Sequence, residues 1–155
     1  MNIDITPLRD YGPEPLTIDL NDAARRNNTF RTALWTGEHL QLTLMSINVG
    51  DDIGLEMHPE VDQMVGVVEG RGLSRMGPSR DYLNITRQLA PGYAVFVPAG
   101  TWHDLVNTGG RPLKLFSVYA PPNHPRGTVQ RTKMETARET ADESAAILEK
   151  LMQLG

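Results

Sequence analysis

The 155-residue chain contains no cysteine. Disulfide frameworks, zinc fingers, thiolate metal sites and cysteine nucleophiles are therefore excluded, so any metal must be bound by histidine, carboxylate or amide groups. Aromatic residues make up only 6% of the chain and hydrophobic residues 39%. That is enough apolar material for one core but not for two, so we expect a single domain over residues 1–155.

A long hydrophobic run and an excess of basic residues are also missing. No apolar stretch approaches the roughly 20 residues of a membrane-spanning helix, and no basic segment followed by an apolar one opens the chain. We therefore expect no membrane segment and a cytoplasmic location. Fifteen basic residues stand against 19 acidic ones, for a net charge of −4. Without a basic stripe, nucleic acid is not an expected partner, and a small-molecule ligand is.

Turn residues, by contrast, are frequent. Fourteen glycines and 11 prolines separate short apolar runs, which is typical of an all-β domain. About eight strand-like runs lie between residues 31 and 120, and the run LQLTLMSINV alternates apolar and polar residues. This density of strands predicts a closed barrel or jelly roll, with a core over residues 36–120.

The two ends of the chain depart from this pattern. Residues 1–35 are interpreted as an N-terminal arm with at most one short strand, and residues 121–155 as a proline-rich loop followed by a C-terminal α-helix. Thr140 and Glu143 have the spacing of a capping box, which predicts a helix of about three turns beginning there. A lone small barrel needs neither an arm nor an amphipathic helix, so we expect a homodimer.

Two glycine-anchored segments contain the residues suited to chemistry. Residues 92–107 match the pattern G-x5-P-x-G-x2-H-x3-N at every position. Residues 50–70 match G-x5-H-x-H-x4-E-x6-G when Glu56 takes the place of the first histidine and Gln63 that of the glutamate. The sequence therefore resembles the cupin superfamily, directly over about residues 50–107. The stretch FRTALWTGEHLQLTLMSI also resembles small bacterial cupins named as mannose-6-phosphate-isomerase-like.

The first motif can also be aligned in a second register. In it, His58 takes the first histidine position and Glu60 the second. That register places Val65 at the carboxylate position and Asp52 at the leading glycine, so it fails at both ends. The preferred register keeps Gly50 as the leading glycine.

The resemblance implies an all-β cupin double-stranded β-helix, a jelly-roll barrel, with a metal site at its mouth. The metal ligands that it implies are Glu56, His58, Gln63 and His103. Glu56 and His58 are two residues apart on a predicted strand, so their side chains are expected on one face. Gln63 is expected to open the neighbouring antiparallel strand.

The exchange of ligands within the first motif preserves its charge, because Glu56 replaces an imidazole while Gln63 replaces the carboxylate. Glu56, His58 and His103 form a group of two histidines and one carboxylate. Non-haem Fe(II) prefers that group, and Mn, Ni, Co and Zn tolerate it. Because a buried carboxylate without a cation is costly, we expect a divalent transition metal. The alternative is a barrel that has lost its metal and keeps these residues hydrogen-bonded.

Other polar residues are weaker candidates. Arg31, Asn107 and Tyr119 are candidates for a substrate pocket, although Arg31 suits an interface and Tyr119 suits barrel packing equally well. For Trp35, as for Arg31, a position in the pocket and a position in an interface are both open. His124 lies on the proline-rich loop, where a solvated role and a role at the barrel mouth are both open.

Two classes of function remain. The first is a metal-dependent enzyme of isomerase, lyase or dioxygenase type acting on a small polar substrate such as a sugar, hydroxy acid or keto acid. The second is a non-catalytic module that binds such a molecule. The fold does not separate the two, because one fold supports many functions.

Overall fold

The computed structural model describes residues 6–154, except for the side chains of residues 136–144. The nine strands are β1 (Arg31–Thr36), β2 (Gln41–Ile47), β3 (Asp62–Glu69), β4 (Gly72–Gly77), β5 (Ile85–Leu89), β6 (Ala94–Val97), β7 (Trp102–Asn107), β8 (Leu113–Ala120) and β9 (Val129–Gln130). The helices among these residues are α1 (Leu20–Arg26) and α2 (Lys133–Gln153). The strands form a jelly roll of two antiparallel sheets, with orders β6-β3-β8-β2-β1-β9 and β5-β4-β7.

The space between the sheets is divided into an apolar end and a polar end. Both sheets contribute to one apolar cluster, which comprises Phe30, Met45, Ile47, Ile53, Val65, Val67, Leu89, Val95, Val97, Leu105, Leu113 and Leu115. Toward the other end of β8, Gln41 and Gln63 lie on either side of Tyr119 in the strand register. These three residues are at most 4% exposed. The barrel therefore buries a polar row as deeply as its apolar core.

The N-terminal segment packs on the outer face of the larger sheet, and it contains a helix where at most a strand was predicted. Asp19 caps α1 by accepting a hydrogen bond from the backbone N–H of Asp22 at 3.1 Å. Ala23 and Ala24 are fully buried in a second cluster, which includes Leu34, Leu44 and Val68. The apolar side chains of the arm thus cover the sheet, which a propensity argument for an isolated segment does not reveal.

The strands extend past both boundaries expected for the barrel core. β1 begins at Arg31, inside the segment interpreted as an arm, and β9 lies ten residues beyond the predicted end of the core. β9 pairs with β1 through Arg31 opposite Gln130 and Thr32 opposite Val129. The segment that follows the proline-rich loop therefore returns to the sheet before α2 begins.

The start predicted for the C-terminal helix is wrong. Thr132 is the N-cap and its side chain accepts a hydrogen bond from the Glu135 N–H at 3.3 Å, while Glu135 Oε2 accepts from the Arg131 N–H at 2.8 Å. The same threonine–glutamate spacing occurs three times, at Thr132, Thr136 and Thr140, and the first occurrence is the cap. Thr140 and Glu143 lie inside α2, and their side chains are outside the described residues.

A lysine attaches the first turn of α2 to the barrel. Lys133 Nζ lies 2.9 Å from Asp51 Oδ1 and also contacts Asp52 Oδ1. Burial lowers the pKa of Lys133, but hydrogen bonds to these two aspartates outweigh it, so the net shift is upward. The last turns of α2 expose large apolar side chains, namely Ile147, Leu148, Leu151, Met152 and Leu154. Within residues 6–154, no helix has the length and apolar character needed to span a membrane.

The homodimer remains a prediction. We expect light scattering at micromolar concentration to give twice the mass of one chain, because two-fold association buries apolar surface that a monomer exposes. A mass of one chain throughout a dilution series from high micromolar concentration would contradict this expectation.

Candidate metal site and the polar end of the barrel

Three side chains of ligating type meet at the polar end of the barrel. Glu56 Oε1 lies 3.3 Å from His58 Nε2 and 3.4 Å from His103 Nε2. The two imidazole centroids are 5.4 Å apart. One ligating atom from each of the three residues lies within 4.8 Å of the others, the arrangement required of residues that bind one ion.

Backbone hydrogen bonds between the two sequence motifs create this convergence. The Glu56 N–H donates to the His103 carbonyl at 3.1 Å, and the His103 N–H donates back to the Glu56 carbonyl at 2.9 Å. The Gly100 N–H donates to the His58 carbonyl at 2.8 Å from a turn in which Gly100 has φ of 83°. Because an L residue with a side chain rarely adopts that φ, glycine at this position secures the turn.

The segment before His58 is less regular than predicted. It forms isolated bridges, Asp52 with Val106 and Glu56 with His103, in place of a continuous strand. Gly54, at φ of 94°, interrupts the extended conformation between the two bridges. The expected pairing of this segment with the strand of Gln63 is also wrong, because β3 pairs with β6 and β8.

The electrostatics of the three residues favour an ionised carboxylate. Burial raises the pKa of Glu56, but the imidazoles of His103 and His58 outweigh this effect and hold that pKa at about 2. Burial lowers the pKa of His103, whereas Glu56 and the Thr101 carbonyl raise it, and the net shift is upward. Glu56 therefore carries its negative charge at neutral pH.

The orientation of the imidazoles is suited to a metal ion. His103 Nδ1 lies 3.0 Å from the Thr101 carbonyl oxygen. A carbonyl only accepts hydrogen bonds, so Nδ1 carries a proton, and Nε2 is the nitrogen that a metal ion would use. The Nε2 atoms of His58 and His103 are buried without a hydrogen-bond partner, although both lie near Glu56. Two imidazole nitrogens and one carboxylate facing one point fit a divalent transition metal.

Gln63, predicted as the fourth ligand, lies in the polar row of the barrel. It is 4% exposed, and its Nε2 donates to Ser117 Oγ at 3.4 Å. Its Oε1 is buried without a hydrogen-bond partner. An amide oxygen is a metal ligand, so the unpartnered atom is the one that a fourth coordination bond would use.

Two of the three residues predicted for a substrate pocket lie inside the barrel. Arg31 is 2% exposed and Tyr119 is fully buried. The Tyr119 ring packs edge-on against His58, with centroids 6.1 Å apart. Its hydroxyl has no hydrogen-bond partner, and burial raises the pKa of the phenol. Tyr119 is therefore a neutral hydrogen-bond donor beside the ligating residues.

The third pocket prediction is corrected by the structure. Asn107 Nδ2 donates to the carbonyls of Ile47 at 3.0 Å and Arg111 at 2.9 Å, and its Oδ1 accepts from the Gly109 N–H at 2.9 Å. Asn107 lies four residues beyond His103, roughly 13 Å along β7. Its motif position thus serves the turn after β7, because all of its hydrogen-bonding groups are committed to backbone.

Trp35 is likewise outside the polar end. Its Nε1 donates to the Glu14 carbonyl at 2.7 Å, and the ring borders an apolar groove on the outer face of the larger sheet. The groove is lined by the N-terminal arm and by residues of β1 and β2. Trp35 therefore holds the arm against the barrel.

His124 belongs to the polar end, a role that the sequence analysis left open. Its ring lies 5.2 Å from that of Tyr119, edge to face. Gln41 fixes the loop by donating from Nε2 to the His124 carbonyl at 2.9 Å and accepting at Oε1 from the N–H groups of Asn123 and His124. A glutamine at the start of a predicted strand was the available signal for this contact, because its amide needs partners once the strand is buried.

The position of His124 yields a prediction about pH. Burial and the Arg31 charge lower its pKa from 6.5 to about 3, so the folded protein keeps it neutral while the unfolded chain protonates it. Above pH 6.5 the ring is neutral in both states, so the low pKa of His124 costs no free energy of unfolding. As pH falls from 6.5 toward 3, protonation of the unfolded chain lowers the free energy of unfolding. Between pH 7 and pH 5, we expect the free energy of unfolding measured in urea to fall by about 1–2 kcal/mol less in His124→Gln than in wild type.

The matched control is His39→Gln, because the side chain of His39 is 86% exposed. This variant should retain the pH dependence of the wild-type protein. Identical pH dependence in His124→Gln and wild type would contradict the buried, neutral state of His124.

Comparison with known proteins agrees with this geometry. The family model for a cupin domain matches residues 43–119. The uncharacterized protein YrkC of Bacillus subtilis (strain 168) is 58% identical over 128 residues, covering 83% of this chain and 69% of YrkC. The uncharacterized protein L612 of Acanthamoeba polyphaga mimivirus is 32% identical over 113 residues, covering 72% of this chain and 69% of L612.

A solved structure shows the same architecture. The crystal structure of BH2720 from Bacillus halodurans is 54% identical in sequence and aligns with a TM-score of 0.84, covering 84% of this chain and 99% of that one. The matched residues contain both glycine-anchored motifs, which supply Glu56, His58 and His103. By sequence, by motif and by fold, this chain belongs to the cupin superfamily.

Proposed function

We propose that this protein binds a divalent transition metal through Glu56, His58, His103 and Gln63, and uses it to bind and transform a small polar substrate. The observation that supports the proposal most strongly is the convergence of three ligating atoms within 4.8 Å. Both imidazole Nε2 atoms there are buried and lack hydrogen-bond partners. Fe, Mn, Ni, Co and Zn are the ions that this ligand set accommodates.

The metal would supply Lewis acidity, which polarises a carbonyl or stabilises an enolate in isomerase, lyase or dioxygenase chemistry. The protein's own groups bind and orient the substrate. Glu56 remains ionised and so contributes one negative charge to the ligand set. The Tyr119 hydroxyl, buried and unpartnered, is available to donate a hydrogen bond to a substrate oxygen.

The loop of His124 closes the polar end on the side of Tyr119. Its two backbone N–H groups and one carbonyl are bound by Gln41, which is fully buried. A neutral imidazole packed on the Tyr119 ring limits the access of water to the phenol. Exclusion of water strengthens each hydrogen bond and charge interaction that a bound substrate forms there.

Metal binding is tested with single histidine substitutions. We expect wild-type protein titrated with Mn(II), Fe(II), Co(II), Ni(II) or Zn(II) to bind one equivalent of at least one ion. His58→Ala and His103→Ala should each weaken binding by roughly 100-fold, because each removes one of few ligands. Calorimetry and elemental analysis after desalting give the stoichiometry.

His39→Ala is the control for nonspecific histidine binding, since His39 lies exposed on the turn between β1 and β2. It should bind the ion as wild type does. Less than about a tenth of an equivalent in reconstituted wild type, or equal retention in His58→Ala, would refute the metal site.

A double-mutant cycle tests whether Glu56 and Gln63 share one ion. Glu56→His removes the only carboxylate and should weaken binding, whereas Gln63→Glu adds a second carboxylate and should favour Mn(II) over ions that prefer nitrogen. The double variant restores one carboxylate and should recover binding.

The four proteins are titrated with the same metal under the same conditions. We expect the free energies of the two single changes to be non-additive, because both side chains would contact one ion. Additivity within about 0.5 kcal/mol would show that the residues do not share an ion.

A further inference from the structure

A buried arginine without a carboxylate partner among the described residues faces the interior of the barrel. Arg31 is 2% exposed, and its only side-chain hydrogen bond among the described residues runs from Nη1 to the neutral amide of Gln130. Its guanidinium carbon lies 5.2 Å from the centroid of the Phe30 ring. Its Nε is buried without a partner, and no described carboxylate forms an ion pair with it. A buried charge is normally paired, because desolvation of an isolated ion costs several kcal/mol.

The strand register directs Arg31 into the barrel. In the pairing of β1 with β2, Thr32 lies opposite Leu44 and Ala33 opposite Thr43. Leu44 belongs to the outer cluster, so Thr32 faces outward and its neighbour Arg31 faces inward. The positive charge of Arg31 lowers the pKa of both Tyr119 and His124, as expected for a guanidinium inside the polar end.

Other unpartnered polar atoms share this interior. Thr43 Oγ1, Gln63 Oε1 and the Tyr119 hydroxyl are all buried without a well-aligned hydrogen bond, although Thr43 and Ser117 lie near the Tyr119 hydroxyl. Thr43 and Gln63 lie on strands that flank β8, which contributes Tyr119. Buried polar atoms are ordinarily satisfied, so their concentration around one cationic side chain indicates the position of a polar ligand.

The charges already present in the site determine the sign of the ligand's charge. With a divalent ion in place, the ion and Arg31 would together bring three positive charges against the single negative charge of Glu56. An anion bound between them offsets this excess, whereas a neutral sugar does not. The Arg31 Nε–H and the hydroxyls of Tyr119 and Thr43 are hydrogen-bond donors. Three such donors suit the two oxygens of one carboxylate.

We propose that the ligand of this protein is a small carboxylic acid whose carboxylate binds to Arg31 and the Tyr119 hydroxyl. This inference rests on the proposed function for the metal end of the ligand, while the carboxylate end depends on Arg31 and Tyr119 and needs no metal. It selects hydroxy acids and keto acids over neutral sugars as the substrate class. Arg31 is thus a binding and specificity residue of the site.

The test compares acids with their neutral amides. Lactate, malonate and 2-oxoglutarate, together with lactamide and malonamide, are titrated calorimetrically into wild-type protein with and without saturating Mn(II). We expect at least one acid to bind, and its amide, where tested, to bind at least about tenfold more weakly. Arg31→Gln should weaken binding of the acid by at least about tenfold. Arg31→Lys should weaken it by less, since lysine keeps the positive charge.

Two controls separate this inference from the proposed function. Arg87→Gln removes an exposed arginine of β5 and should bind the acids as wild type does. The Mn(II) affinity of Arg31→Gln should equal or exceed that of wild type, because Arg31 is not a ligand and its positive charge opposes that of the ion. If wild type binds no metal, the proposed function fails, and Arg31-dependent binding of acids to the metal-free protein still supports the carboxylate site.

A second measurement covers the case in which Arg31→Gln does not fold. In wild-type protein labelled with ¹⁵N-arginine, the Nε–H resonance that is missing from Arg31→Lys belongs to Arg31. It should shift on addition of the bound acid and stay in place on addition of its amide. The inference is overturned if no acid binds either form of wild type, if Arg31→Gln binds the acids unchanged, or if inorganic phosphate binds more tightly than every acid.

Discussion

The reciprocal backbone pair between Glu56 and His103 is the contact on which the site depends. Each residue donates its N–H to the carbonyl of the other, at 3.1 and 2.9 Å, so two ligating side chains from distant parts of the sequence must emerge side by side. The Gly100 amide then binds the His58 carbonyl and brings the third ligating residue to the same place. Because main-chain bonds do this positioning, the side chains remain free to bind an ion.

The interior of the barrel shows how a small protein combines stability with a polar site. Its apolar cluster fills one end, where residues of both sheets exclude water. The polar end instead leaves Arg31, Thr43, Gln63 and Tyr119 with buried atoms that lack partners. Each such atom costs about 1–3 kcal/mol of folding free energy, so this concentration indicates an interior shaped for a ligand more than for stability.

Several features of the fold could be predicted from the sequence because they arise from local rules. Alternation along β2, the glycine and proline punctuation and the two glycine-anchored motifs indicated a jelly roll and brought Glu56, His58 and His103 together as candidates. The start of α2 could not be fixed in this way, because Thr132, Thr136 and Thr140 are each followed by glutamate at the capping spacing. The anchoring of Lys133 by Asp51 and Asp52 involves residues far apart in sequence.

The same distinction applies to the site. The sequence by itself determined the chemical types of the candidate ligands, since the absence of cysteine and the motif spacing left histidine, carboxylate and amide groups at defined positions. Only the tertiary structure decided that Asn107 serves a turn, that His124 packs on Tyr119, and that the buried charge of Arg31 has no carboxylate partner in the described part of the chain. The physical reason is that spacing along a strand specifies which face a side chain occupies, whereas hydrogen-bond satisfaction and charge compensation depend on groups that folding brings together from remote segments.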